Sequence, residues 1–244
     1  MPKRDHLVTT PDQSMAIVDA VERAMAALRQ WAGHEGFAAV MAAFPAVDVY
    51  LAGGAVRDAV AGRPSSPKDF DFFIAGSECD GFLARLGELG KLSHGPFGSP
   101  RWVPTSEDRF ADIIPIARFN NGVERCATMT DALRQFDFTA NAIALDLRHG
   151  NFLDPCGGLA DLRAGILRAV RLDYPEEPIA PGIALSRNTV LWMRFMHYAD
   201  RLGLEPDPTT KAWLVRHRHH DTARLWFADI FFTPKYGTES LGKE

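Results

Sequence analysis

The sequence predicts an α/β fold in its first part and a small all-helical fold in its second part. Across residues 47–153, short apolar runs bounded by turn residues alternate with segments of helical periodicity. Residues 173–183 (DYPEEPIAPGI) carry three prolines and indicate a linker. After this linker the apolar residues recur at helical spacing, so we expect helices there.

Each element follows from its local pattern. Residues 14–31 place Ile17, Val21 and Leu28 on one stripe, which predicts an amphipathic helix. Strands are predicted at 47–52, 69–75, 101–104, 110–117, 141–147 and 151–153. Helices are predicted at 55–61, 79–89, 128–136, 184–203, 207–219 and 221–231.

These elements predict a division of the chain into segments. We expect an N-terminal helical extension, an α/β domain that we call the head, the proline-rich linker, a helical domain that we call the neck, and a flexible tail. Their predicted bounds are 1–45, 46–172, 173–183, 184–235 and 236–244.

Composition narrows the function classes. The formal net charge of −4 argues against a strong overall electrostatic grip on nucleic acid, although a local basic face is compatible with it. No apolar run reaches the length of a membrane span, and we expect no membrane partner. The three cysteines form no disulfide framework and no zinc motif, and the first residues lack the apolar region of a secretory signal. We therefore expect a cytoplasmic protein.

Two aspartates interrupt the aromatic strand DFDFFIA. Alternate residues of a strand share a face, so Asp69 and Asp71 should project together while Phe70 and Phe72 enter a core. Paired carboxylates suit Mg²⁺, and two such ions stabilise both oxygens of an in-line phosphoryl displacement. The alternative interpretation is a strand edge with solvated aspartates.

A glycine pair precedes this strand. Gly53 and Gly54 follow the predicted strand at 47–52 and open a short helix that carries Arg57. Glycines allow a ligand to approach the backbone, and free amides and an arginine favour phosphate. Alone, the pair indicates only a tight strand-to-helix turn. Together with the aspartates it predicts a site for nucleotidyl transfer from a nucleoside triphosphate (NTP).

Three ordered blocks then resemble a known family: LAGGAVRDAVAGRPSSPKDFDFF (51–73), RQFDFTANAIALDL (134–147) and FLDPCGGLADLRAGILRAV (152–170). They are similar to the signatures of class II tRNA nucleotidyltransferases (CCA-adding enzymes) and bacterial poly(A) polymerases. The resemblance covers residues 47–172 well and 184–206 weakly.

The resemblance implies a DNA polymerase β-type head followed by a helical neck. It implies that Asp69 and Asp71 bind Mg²⁺ in a two-metal site, and that Asp112, in FADIIPIAR (110–118), is the third carboxylate. Asp112 could also be an ordinary strand-end aspartate. The implied nucleotide-binding residues are Gly53, Gly54, Arg57, Asp58, Arg118, Asp137, Asn141 and Arg194.

The implied activity is addition of nucleotides from ATP, and CTP for CCA addition, to an RNA 3′ end, with tRNA the leading acceptor and pyrophosphate the leaving group. Two alternatives stay open. The same head could act on a non-RNA acceptor, or the chain could be a degenerate RNA-binding module. The family's neck motif aligns best with RNTVLWMRFMHY (187–198). Because about forty residues follow this motif, we expect a second copy or a partner chain to supply RNA-binding surface.

Two departures from the family pattern concern the nucleotide pocket. Gln135 and Phe136 stand where the family has paired arginines. In the neck motif, Arg187 and Asn188 replace an acidic pair, and Leu191 replaces an arginine. The resemblance assigns base reading to that acidic and arginine set, so we expect altered base selection.

Overall fold

The computed structural model describes residues 11–63, 67, 69–95, 98–105, 109–119, 124–172, 174–180 and 182–237. Most of the predicted tail and the first ten residues lie outside this part of the chain. Among the described residues the helices are α1 (Pro11–Arg29), α2 (His34–Ala43), α3 (Gly54–Val60), α4 (Cys79–Glu88), α5 (Met129–Leu133), α6 (Gly158–Ala164), α7 (Arg187–Leu202), α8 (Pro208–Arg216) and α9 (Arg224–Ile230). The strands are β1 (Asp48–Ala52), β2 (Asp69–Ala75), β3 (Gly90–His94), β4 (Pro100–Pro104), β5 (Phe110–Pro115), β6 (Ala144–Asp146), β7 (Phe152–Leu153), β8 (Ile166–Leu167) and β9 (Glu205–Pro206).

Seven strands form one mixed sheet in the order β3-β4-β5-β2-β1-β6-β7. At its centre, β2 pairs with β1 antiparallel and with β5 parallel. This register places Asp71 opposite Asp112 on one side and opposite Ala52 on the other. Because β4 pairs with β5 antiparallel, Arg101 also lies opposite Asp112. The strand order thus gathers residues from four segments of the chain.

One face of the sheet packs on an aromatic core. Phe70 and Phe72 are fully buried there with Trp102, as their alternation with the aspartates predicts. Trp31, in the turn between α1 and α2, lies 5.1 Å from the Phe70 ring and 5.5 Å from the Trp102 ring between centroids. The helices of the predicted N-terminal extension therefore cover this face of the head.

The opposite face carries the aspartates and a second apolar cluster. Phe73 contacts Phe119 and Phe136 edge-on, with ring centroids 5.2 and 5.7 Å apart. The cluster also includes Ile116 and Leu133. Apolar packing on both faces explains why β2 is an almost uninterrupted run of hydrophobic residues.

The neck packs around α7. This helix buries Trp192 and Phe195, and the Trp192 Nε1–H donates to the carbonyl of Leu214 on α8 at 2.9 Å. A short parallel ladder of β8 with β9 joins the end of the head to the neck. Across this junction the Arg168 guanidinium contacts Asp161 and Asp207, at 2.9 and 3.3 Å.

The predicted fold class is confirmed: an α/β head precedes a mainly helical neck. The exact domain bounds stay a prediction.

The sequence patterns missed α2, β3, α6, β8 and β9. The strand expected over 110–117 ends at Pro115, whose successors form a 3-10 turn (Ile116–Arg118). The strand expected over 141–147 shrinks to β6, because the residues before it form the turn in which the Asn141 N–H donates to the Phe138 carbonyl.

No helix within the described residues combines the length and the apolar character needed to cross a bilayer.

Replacing Trp31 by Ala should lower the free energy of unfolding by about 3–5 kcal/mol, because it empties the space between the helices and the sheet. Trp226, with 63% of its side chain exposed, provides a matched control. Trp226→Ala should change the same quantity by less than about 0.5 kcal/mol. Urea unfolding followed by far-UV circular dichroism measures both variants. Equal losses would show that the helices do not share the core of the sheet.

Candidate active site

Three carboxylates lie side by side on one face of the sheet. Asp69 and Asp71 belong to β2, and Asp112 occupies the position beside Asp71 on β5. Neighbouring strands are about 4.8 Å apart, so side chains in register on one face are close neighbours. The side chains of Asp71 and Asp112 are half-buried, whereas Asp69 is exposed. The structure therefore brings the three predicted carboxylates together.

This crowding disfavours a charge on Asp71. Burial raises the pKa of Asp71 to about 7, and the neighbouring Asp69 and Asp112 contribute in the same direction. The cations of Arg194 and Arg101 oppose the shift and do not cancel it. These two arginines therefore offset only part of the negative charge around Asp71.

Arg101 holds the third carboxylate. Its Nε and Nη2 donate to the two oxygens of Asp112 at 2.9 and 3.0 Å, and its guanidinium carbon lies 3.7 Å from the centre of the Phe110 ring. The hydrogen bonds to Asp112 raise the pKa of Arg101. The sequence patterns missed this residue. The available signal was the neighbouring Trp102, because a side chain buried in the core turns Arg101 toward the opposite face.

The glycine turn closes tightly against the acidic face. Gly53 directly follows β1 and adopts a positive φ of 71°. A Cβ at this position would approach Asp71 Oδ2 to 2.6 Å. Both the backbone conformation and the lack of space therefore require glycine. Gly54 follows as the first residue of α3.

A polar chain links this turn to the neck. Arg57 on α3 is 4% exposed, and its Nη1 donates to Asn141 Oδ1 at 2.8 Å. The Asn141 amide donates to Asp137 at 3.0 Å, and Arg194 on α7 donates to Asp137 at 2.7 Å. Asp58 accepts a further hydrogen bond from Arg57 at 2.9 Å. We call Arg57, Asn141, Asp137 and Arg194 the head–neck bridge.

Arginines surround Tyr198 beside this bridge. The guanidinium carbons of Arg57, Arg194 and Arg201 lie 5.3, 5.2 and 5.9 Å from the centre of the Tyr198 ring. Burial lowers the pKa of Arg194, but the interactions with Asp137, Tyr198 and Asp71 together outweigh burial and leave that pKa raised. These groups place fixed positive charge where head and neck meet.

One predicted nucleotide-binding residue lies elsewhere. Arg118 ends the 3-10 turn beyond β5, and its side chain is 60% exposed and paired with Asp80 at 2.6 Å. Asp112 lies near the opposite end of β5, about 10 Å from Pro115 at the rise of a strand. The structure therefore does not bring Arg118 to the acidic face.

Four residues that depart from the family pattern pack or form hydrogen bonds within the fold. Gln135 is buried and donates to the carbonyl of Glu124 at 2.8 Å, while Phe136 packs against Phe73 on the face of β2 that carries the aspartates. In the neck, the Asn188 amide donates to the carbonyl of Tyr174 at 3.1 Å and to the Glu176 carboxylate at 2.5 Å, and Leu191 is buried in the neck core. These four side chains stabilise the fold at positions where the family has charged groups.

The donor set of the acidic face suits a magnesium ion. Carboxylate oxygens are hard ligands, and Asp71 in particular has unbalanced negative surroundings. No three His, Cys, Asp or Glu side chains converge as a ready metal cage in the described part of the chain.

Comparison with known proteins agrees with this geometry. The family described as Poly A polymerase head domain matches residues 49–168. The Multifunctional CCA protein of Nitrosospira multiformis is 31% identical over 181 residues, which cover 70% of this chain and 39% of that protein. The homologue from Xylella fastidiosa is 30% identical over 172 residues, covering 68% of this chain and 38% of that protein.

Residues 49–168 of this chain are a head domain of the class II tRNA nucleotidyltransferase and bacterial poly(A) polymerase family.

Solved structures of the family share the fold. A CCA-adding enzyme with CTP superimposes with a TM-score of 0.57 at 22% identity, over 84% of this chain and 46% of that one. The Thermotoga maritima CCA-adding enzyme complexed with tRNA gives a TM-score of 0.59 at 22% identity, over 85% and 45%. The chain spans about two fifths of the length of the curated relatives it matches.

Without divalent cations, Asp71 should make the free energy of unfolding depend on pH. Its folded-state pKa of about 7 exceeds its ordinary value of 3.8, so between these values the folded chain retains a proton that the unfolded chain releases. This contribution to stability is full below about pH 4 and is lost as the pH rises through 7. Melting temperatures in EDTA from pH 5 to pH 8 should fall more for the wild type than for Asp71→Asn. Parallel profiles would contradict the shift.

Gly53→Ala should destabilise the chain more than Gly62→Ala. Both glycines have a positive φ, 71° and 65°, so both substitutions incur strain of about 1–2 kcal/mol. At Gly53 the added Cβ meets Asp71, whereas at Gly62 no atom of the described residues lies within 4 Å of it. The free energies of unfolding of the two variants are measured in urea. The difference between them gives the cost of the steric overlap between the added Cβ and Asp71. Indistinguishable values would show that the turn and the aspartate do not constrain each other.

Proposed function

We propose that this chain is a Mg²⁺-dependent nucleotidyltransferase that adds nucleotides from NTPs to an RNA 3′ end, with tRNA as the leading acceptor. The observation that carries the proposal is the position of Asp71 directly beside the Gly53 turn, with Asp69 on the same face of β2 and Asp112 in register on β5. The relatives are named Multifunctional CCA proteins, and the solved family structures include complexes with CTP, ATP and tRNA.

The carboxylates of Asp69 and Asp71 would hold the cation, with Asp112 as the predicted third carboxylate of the site. A bound divalent ion supplies Lewis-acid stabilisation of the reacting phosphate oxygens. The chain itself positions the reactants: the RNA 3′-hydroxyl attacks the α-phosphate, and the bond between the α-phosphate and the bridging oxygen breaks to release pyrophosphate. Catalysis of this kind depends on alignment and on neutralising charge.

The glycine turn and the bridge supply the binding surface for the triphosphate. Gly53 and Gly54 let phosphate oxygens approach the backbone without a side chain in the way. Arg57 and Arg194 provide positive charge that Asp137 and Asn141 already hold in place. Hydrogen-bond donors that are oriented before the substrate binds need no reorganisation during the reaction. They therefore stabilise the transition state more effectively than donors that must first move.

Base selection must use residues other than the family's usual readers. Asn188 and Leu191 are buried within the neck and its linker, so neither is positioned to read an incoming base. This favours a preference for one nucleotide over the ordered addition of C and then A. A non-RNA acceptor is the second candidate, motivated by the same altered positions. A second copy or a partner chain that adds RNA surface, and a cytoplasmic location, stay predictions.

Replacing Asp69 or Asp71 by Ala should lower nucleotide incorporation at least about 100-fold, because the pair is proposed to hold the catalytic cation. The assay uses Mg²⁺, each labelled NTP in turn, and tRNA lacking its terminal CCA. Asp48→Asn is the control, since Asp48 is exposed at the far end of β1, opposite Ala75. It should keep wild-type activity.

The products separate the candidates. Incorporation of C followed by A would show that CCA selection survives through other residues. Incorporation of A alone would identify a poly(A) polymerase-like activity. Substantial activity in both aspartate variants would contradict the proposed mechanism. Binding of NTP without incorporation into any RNA would favour the non-RNA acceptor.

A further inference from the structure

One face of α7 carries positive charge beyond the head–neck bridge. Arg194, Tyr198 and Arg201 are spaced four and three residues apart, so their side chains lie on the same face of the helix. The guanidinium carbons of Arg194 and Arg201 lie 5.2 and 5.9 Å from the centre of the Tyr198 ring. Seven residues of helix separate the two arginines by about 10 Å along the axis. Arg201 therefore extends the positive charge of the bridge toward the end of α7.

Arg201 differs from the two arginines of the bridge in its charge balance. Those two form ion pairs with Asp58 and Asp137, at 2.8 and 2.7 Å. Arg201 is exposed, and within the described residues no carboxylate oxygen lies within 4.0 Å of its side-chain nitrogens. The Tyr198 ring is the contact that the structure gives its guanidinium. The chain thus holds this cation beside an aromatic ring and leaves its charge available to an anion.

A second arginine lies at the same end of α7. Arg63 follows α3 in the head, and its Nη2 donates to the carbonyl of Leu202 at 2.5 Å. Leu202 is the residue next to Arg201 and the last residue of α7. In the part of the chain that the structure describes, Arg63 also has no carboxylate partner. One cation from the head and one from the neck therefore lie at this end of the junction, and we call Arg63 and Arg201 the arginine pair.

The charge of Arg201 acts on its surroundings. Burial lowers the pKa of His197, Arg201 lowers it further, and Asp200 raises it by a smaller amount than Arg201 lowers it. The carboxylate next to Arg201 in the sequence therefore does not cancel the cation. Since the formal net charge of the whole chain is −4, this local excess of positive charge departs from the average of the surface.

The anion that suits this position is not the triphosphate. The proposed NTP site uses the Gly53 turn and the bridge, and Arg194 of the bridge already acts on Asp71 of the acidic face. Arg201 lies about 10 Å further along α7. The other reactant of the proposed transfer is the acceptor RNA, which carries a phosphate at each nucleotide. An arginine forms two parallel hydrogen bonds with a phosphate group, so the arginine pair suits an RNA backbone.

We propose that Arg201 and Arg63 bind the phosphate backbone of the acceptor RNA at the junction of head and neck. The inference rests on the proposed function, which supplies RNA as the partner, and it adds a site for the acceptor to the site for the NTP. The arginine pair contacts the acceptor strand and not the reacting atoms. It positions the RNA so that the 3′-hydroxyl reaches the α-phosphate.

Removing one of these cations should weaken the binding of RNA. The probe is fluorescently labelled tRNA lacking its terminal CCA, titrated with the full chain at several salt concentrations and followed by anisotropy. Arg201→Met should raise the dissociation constant about five- to tenfold at low salt, because one charged contact to phosphate is lost. The slope of log affinity against log salt should become shallower by about 0.7–0.9, the value of one phosphate contact. Arg63→Met should have the same effects.

Arg163→Met is the matched control. Arg163 is also exposed, also lies in the last turn of a helix (α6) and also has no carboxylate partner among the described residues. Loss of a favourable charge at a helix end affects Arg163→Met and Arg201→Met alike, so it produces no difference between them. Arg163→Met should keep the RNA affinity and the salt slope of the wild type. Arg201→Lys keeps the positive charge and should keep the salt slope. Thermal melts check that every variant is folded.

Incorporation kinetics separate the acceptor from the nucleotide. In Arg201→Met the KM for tRNA should rise about five- to tenfold, while the KM for NTP and the kcat at saturating tRNA stay within about twofold of the wild type. A rise in the KM for NTP equal to the rise in the KM for tRNA would overturn the inference, because it would place Arg201 in the triphosphate site.

The outcomes distinguish failure of the inference from failure of the proposed function. Wild-type RNA affinity and an unchanged salt slope in both Arg201→Met and Arg63→Met, with incorporation intact, would overturn the inference and leave the proposed function standing. RNA binding that depends on Arg201, without incorporation of any nucleotide, would support the inference and count against the proposed function. No RNA binding by the folded wild type would overturn both.

Discussion

The mutual repulsion of three carboxylates on one face of the sheet is the constraint on which the site depends. The parallel pairing of β2 with β5 forces Asp71 beside Asp112, and burial leaves Asp71 with a pKa of about 7. Two neighbouring arginines interact with this negative charge. Arg101 binds Asp112 from one side, and Arg194 acts on Asp71 from the neck. The excess negative charge of this face favours the binding of a cation, and nucleotidyl transfer can use such a cation.

The aromatic core keeps this repulsion from being relieved by movement of the strand. Phe70 and Phe72 are buried on one face and Phe73 on the other, so β2 cannot slip by one residue without burying an aspartate in the core. The close approach of Gly53 to Asp71 adds a second restraint from β1. The helices at the N-terminal end contribute to the same core, so the rigidity of the site depends on packing that begins far from it.

The sequence revealed the parts of the site that depend on local periodicity, and it missed those that depend on strand order. Alternation along β2 was enough to place Asp69 and Asp71 on one face. The role of Arg101 follows from the antiparallel pairing of β4 with β5, which no local pattern specifies. The contact of Asp137 with Arg194 joins residues 57 positions apart, and only the docking of the neck on the head creates it. Short elements such as β8 and β9 owe their existence to that junction and have no periodicity of their own to detect.

We infer that the acidic face and the head–neck bridge form one NTP site that a divalent cation completes. The most direct test is the binding of a non-hydrolysable ATP analogue to the wild-type chain, measured by calorimetry with Mg²⁺ and again with EDTA. Because the carboxylates repel a triphosphate unless a cation lies between them, Mg²⁺ should tighten binding at least about tenfold, which corresponds to roughly 1.4 kcal/mol. Equal affinity in Mg²⁺ and in EDTA would contradict the account.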